Sequence, residues 1–175
     1  MRRATGDHGP GGHERLDNRE LTSGTMLFAA YRDTPYKIVL LLHIITMIIA
    51  LTGAVAHPLM FELEKRRSAP DPVALAQRVT TPSRVYAISF ALAGIIGFGL
   101  ISMSDDVIGW GDTWVWLSIL VWVAVNGLLH ALILPNEAAV ANGDTAALAK
   151  VETFGRIASI LILVLLYLMV VKPGV

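Results

Sequence analysis

Residues 38–60 read IVLLLHIITMIIALTGAVAHPLM, an almost unbroken apolar run with His43 and His57 inside it. An α-helix rises 1.5 Å per residue and a bilayer core is about 30 Å thick, so about 20 apolar residues suffice to cross it. This stretch meets that length and is too long for the apolar region of a cleavable signal. It also runs into the charged segment ELEKRR without a small-residue cleavage site. It is read as a permanent span, and every other inference about the chain follows from it.

Three more apolar runs occur, at 85–103, 114–134 and 157–171, the last borrowing residues 154–156 to reach the interface. Short connections separate them. The expected fold class is therefore all-α: a polytopic membrane protein built as a four-transmembrane-helix bundle over residues 36–175. With 54% hydrophobic residues the chain exceeds the roughly 45–50% of soluble domains. The first 35 residues are polar and rich in glycine, too poor in apolar surface to offset their ordering entropy, and are expected to be disordered. His8 and His13 are read as solvated tail residues, and Tyr36 and Lys37 as interface anchors.

The absence of cysteine excludes disulfides and thiolate chemistry. Fourteen basic and 14 acidic residues balance with no concentrated basic face, so nucleic acid is not an expected partner. No hydrolytic triad, phosphate loop or metal-ligand motif is present, and the reading leans away from an enzyme. In the loop after the second span, Asp105, Asp106 and Asp112 are acids of the kind that hold divalent cations, and solvation is the plainer reading. Trp110, Trp114 and Trp116 are expected to form an aromatic belt there.

At about 100° per residue, Val39, His43, Thr46, Ala50, Gly53, Ala54 and His57 share one face of the first helix. Leu41, Ile44, Ile45, Ile48 and Leu51 take the other. Small and polar residues in a span turn toward protein and large aliphatics toward lipid. The histidine face should therefore point into the bundle. Asp71 with Pro72, and Thr81 with Pro82, read as two separate helix starts. Ala93, Gly94, Gly97 and Gly99 allow close backbone approach in the second span. The third span should end near Pro135, Asn142-Gly143 should turn, and Asp144 or Thr145 should open a helix running into the fourth span.

Five basic residues in the first loop and none in the second argue for termini outside, by the positive-inside rule. The arginines of the tail argue the reverse; the loops are preferred. The expected location is the inner or plasma membrane.

Four groups stand out at membrane depth: His43, His57, His130 and Arg156. His43 and His57 are 14 residues apart, roughly 21 Å along a helix, and so lie near opposite faces. In an alternating bundle His57, His130 and Arg156 fall near one face, with Asn126 four residues before His130 on its helix. A b-type haem held by His57 and His130 with its propionates near Arg156, or a haem on His43 alone, is chemically coherent. The plain alternative is that each histidine donates to a backbone carbonyl of a neighbouring helix. Proton or ion relay is the third option.

The segment LeuHisIleIle at 42–45, with Gly53 ten residues and Pro58 fifteen residues after the histidine, resembles the opening helix of a broad bacterial group. That group includes the HemJ-type protoporphyrinogen oxidases, the CopD-type copper-resistance proteins and uncharacterised integral membrane (DUF) families. The closing GlyArgIleAlaSer at 155–159 and TyrLeuMetValValLysProGly at 167–174 resemble the uncharacterised branch. The HemJ resemblance implies His43 as a haem ligand and a porphyrin substrate. The chain departs from it at Met47, where an arginine is implied, and at His57-Pro58-Leu59, where Leu-Pro-Arg is implied. The sequence thus points to a membrane protein of unknown role with two readings. One is haem binding or electron transfer. The other is a non-catalytic accessory or scaffold subunit, packing against itself or a larger membrane complex through small-residue faces.

Overall fold

The computed structural model describes residues 34–104 and 108–173. The polar tail as far as residue 33, with His8 and His13, lies outside the described residues, as do Asp105 and Asp106. Among the described residues four long helices make up the fold: α1 Thr34–Lys65, α2 Pro72–Ser102, α3 Thr113–Ala141 and α4 Thr145–Val171. Each is long and apolar enough to cross a membrane. Each packs on its neighbours in sequence, and α1 closes the ring against α4. The protein is an all-α, multi-pass membrane protein.

The two faces of α1 are disposed as the periodicity requires. Ala50 and Gly53 are buried and Val39, His43, Thr46, Ala54 and His57 half-buried, whereas Leu41, Ile44, Ile45 and Ile48 are exposed. Leu51 departs from its expected side, half-buried against the central core. Exposed aliphatics continue round the bundle, from Val85, Ile88 and Leu92 on α2 to Leu120 on α3 and Leu163 and Val170 on α4. A soluble monomer rarely shows so continuous an apolar surface; acyl chains account for it.

Pro58 lies inside α1, where its ring removes the N–H that would bond to the Ala54 carbonyl. That carbonyl instead accepts from Ser159 Oγ of α4 at 2.9 Å, a replacement of the kind that makes proline tolerable in a span. The expected second start at Thr81-Pro82 does not exist. The chain is one helix from Pro72, capped by Asp71 accepting from Ala74 N at 2.9 Å, and Pro82 is carried in its interior. Packing of Val79 and Ser83 on either side of the proline keeps the helix going. The third helix likewise overruns its expected end. A π turn over Leu128–Ile133 widens the helix just before Pro135, which then opens a regular segment to Ala141. Asn136 Nδ2 donates to the Leu132 carbonyl at 2.6 Å within that readjusted stretch. Gly143 makes the turn at φ +99°, a left-handed conformation that glycine adopts without strain. Asp144 accepts from Ala146 N at 3.1 Å, and the chain runs on into α4 as expected.

Two apolar clusters form the interior. Ala50, Phe90, Val125, Ile162 and Leu165 occupy the middle of the bundle. Phe61, Leu75, Ala76, Val79, Val140, Ala147 and Val151 form a second cluster where the chain turns between α1 and α2 and between α3 and α4. Along each helix, His57, Ser83 and Glu137 fall between the residues of these two clusters.

The glycines of α2 make room for rings rather than for backbone. A Cβ on Gly94 would lie 2.2 Å from the indole of Trp122, and one on Gly97 would touch the His43 ring at 3.4 Å. Gly53 of α1 plays the same part for Tyr86, at 2.5 Å.

Candidate functional site: two polar layers at opposite ends

At one end α1, α2 and α3 each contribute one polar side chain. Glu137 is 1% exposed, and Ser83 Oγ lies 2.7 and 2.8 Å from its two carboxylate oxygens. The same hydroxyl is 3.3 Å from His57 Nδ1 and 3.4 Å from Nε2. The hydroxyl's single proton is shared between the Glu137 carboxylate and the Val79 carbonyl at 2.8 Å, and its oxygen can accept from the imidazole. Tyr86 meets His57 edge-on, centroid to centroid 5.3 Å. Among the described residues no ion pair involves Glu137. A carboxyl so buried in a membrane helix is costly and is retained here by its hydrogen bonds. Nothing in the sequence reading pointed to it, because it was assigned to the stretch beyond Pro135.

His57 and Ser83 line a cavity of about 450 Å³ between α1 and α4, with Glu137 behind them. Lys65, Glu62, Glu152 and Arg156 also line it, Lys65 pairing with Glu152. Arg156 Nη2 is 4.0 Å from Glu152 and its side chain is 69% exposed. His130 is exposed and does not line this cavity. The expected set of His57, His130 and Arg156 is thus brought together only in its first and third members. The π turn explains the third helix: it shifts the register at His130, while Asn126 bonds back to its own Trp122 carbonyl at 2.9 Å.

At the other end, His43 Nδ1–H donates to the Ala93 carbonyl of α2 at 2.9 Å. That is the interhelical bond foreseen for a membrane histidine. It also places the proton on Nδ1 and leaves Nε2 with its lone pair. His43 lines a second cavity of about 310 Å³ with Tyr36, Met47, Trp114, Ser118 and Met169 among its walls. Met47 is buried, on the inner side of α1 with the histidines and not merely beside their stripe. Trp114, expected in the surface belt, is instead buried, with Lys172 Nζ 5.5 Å from its ring centroid. Trp110 and Trp116 remain exposed. Two polar atoms on this wall, Trp114 Nε1 and Ser118 Oγ, are buried without a hydrogen-bond partner. A buried donor left without a partner costs about 1–3 kcal/mol, so a ligand with acceptor atoms would be favoured here.

No protein-family model, no curated protein and no solved structure matches the chain. The likeness to HemJ-type, CopD-type and uncharacterised membrane families therefore rests on the quoted residues alone.

Proposed function

We propose that this membrane protein binds a b-type haem through His43 and serves in electron transfer without catalysing a reaction of its own. The observation that carries the reading is the bond from His43 Nδ1 to Ala93. Metal-ligating histidines characteristically donate their other ring N–H to a carbonyl or carboxylate, which fixes the tautomer and raises ligand basicity. Its lone-pair nitrogen belongs to a ring that lines an apolar cavity.

The residues present fit the group. The unpartnered Trp114 Nε1–H and Ser118 hydroxyl, with Lys172 at the same end, are suited to propionate oxygens. Met169, from a different helix, also lines the cavity and would offer a thioether to the iron as a second protein ligand. When bound, the iron supplies one-electron exchange between its ferric and ferrous states. The protein's part is to hold the ring, exclude water and set polarity through its apolar walls.

The inner or plasma membrane is the proposed location, with both termini outside, on the charge asymmetry of the loops. The test is a haemin titration of the full chain in detergent. A saturable Soret band is expected, lost in His43→Ala while helical circular dichroism persists. A titration showing no difference between His43→Ala and the parent chain would overturn the assignment.

The alternative is an accessory subunit docking on a partner or a second copy. Gly53, Gly94 and Gly97 are already filled by rings of this chain. Such a partner would have to use the aliphatic outer surface.

A further inference from the structure

The 450 Å³ cavity beside His57 is separate from the His43 end and takes no part in haem binding there. Its body is apolar, with Ala50, Phe90, Ile133 and Ile162 among its walls, and its volume lies within the roughly 300–1,000 Å³ of small-molecule sites. Its lining includes the exposed Leu59 of α1 together with the charged Glu62, Lys65 and Arg156.

The polar groups on its wall specify what enters. Glu152 Oε2 is taken by Lys65, but Glu152 Oε1 is buried with no hydrogen-bond partner. The Ser83 hydroxyl is already engaged by Glu137 and the Val79 carbonyl, and both His57 nitrogens lie within 3.4 Å of the serine oxygen. The unfilled position, Glu152 Oε1, accepts, so an occupant must donate. Lys65 and Arg156 offset Glu62 and Glu152 on the wall, so the lining offers no net charge to an occupant. The rings of Phe90 and Tyr86 favour an aromatic body.

We propose that this cavity is a binding site for an uncharged, lipid-soluble phenol, its hydroxyl donating to Glu152 Oε1 and its ring and alkyl tail lying on the apolar walls. The Ser83–Glu137 pair holds His57 in place from behind. The site depends on the fold alone and stands whether or not His43 binds haem.

Gly155 supplies a clean test. It lines the cavity, and a Cβ built there meets nothing within 4 Å, so a side chain can be added without disturbing the helices. The full chain in nanodiscs is equilibrated with decylphenol, and retention is compared with empty discs of the same lipid. Decylbenzene, which lacks the hydroxyl, is the matched control. Saturable retention at one equivalent per chain is expected, with decylbenzene weaker by about tenfold or more. Gly155→Leu should abolish saturable binding, and Glu152→Leu should weaken it by about tenfold, both with the parent helical signal. Retention no greater than in empty discs, equal retention of decylbenzene, or full binding by Gly155→Leu would each overturn the proposal.

Discussion

Each end of the bundle holds one histidine of α1, and the two rings are partnered differently. His43 gives its proton to a backbone carbonyl, and the polar atoms around it, Trp114 Nε1 and Ser118 Oγ, have no partner. His57 meets a side-chain network in which Ser83 and Glu137 satisfy one another. A satisfied buried network rigidifies, whereas an unsatisfied wall raises the free energy of the empty site and so favours a ligand that completes it. Both cavities carry unsatisfied atoms, Trp114 Nε1 and Ser118 Oγ beside His43 and Glu152 Oε1 beside His57, but only the His57 end adds a satisfied side-chain network that holds its helices together.

The largest expected effect comes from the glycines that admit the rings. Gly94→Leu drives a side chain into Trp122 and should destabilise by about 3 kcal/mol or more, since overpacking of a close-fitted interior costs roughly that. Gly155→Leu, with open space at its Cβ, should stay close to the parent in thermal unfolding. Equal losses in the two variants would break the claim that ring packing holds α2 to α3.

Next in size is Ser83→Ala. It strips Glu137 of its hydroxyl partner and should cost about 2–3 kcal/mol, the penalty of a buried polar group left unsatisfied. Ser83→Ala combined with Glu137→Leu should recover most of the loss, because removing both partners is far less costly than removing one. Failure of the double variant to recover would mean Glu137 has another essential role.

At the opposite end Ser118→Ala should leave stability unchanged or raise it by up to about 1 kcal/mol, as an unpartnered buried hydroxyl is removed. The same change should weaken haemin binding. Opposite signs for two serine-to-alanine changes sharpen the contrast between the ends. Smallest of all, Glu62→Gln breaks only the exposed pair with Arg66 and should shift unfolding by no more than about 0.5 kcal/mol.

The architecture was legible because span length and the 3.6-residue period are local properties. The inner face of α1 could be read from His43, Ala50, Gly53 and His57 without knowing any partner. What escaped was whatever depended on how proline is accommodated. Pro82 and Pro135 look like boundaries in sequence, yet packing around Ser83 and a π turn at Leu128–Ile133 carry both helices through. Glu137 was lost with the second of these. A continued helical period linking Ile133, Glu137 and Val140, all buried, was the signal that would have found it. His130 was misplaced for the same reason: spacing from Asn126 fixes a shared face only while the helix keeps its regular turn.

The most direct measurement is the absorption spectrum of the full chain reconstituted with haemin, compared across His43→Ala, His57→Ala and His130→Ala. The account predicts a Soret band that disappears in the first and survives in the other two. A parent chain that stays colourless, or a band lost with His57 or His130 and kept without His43, would contradict it.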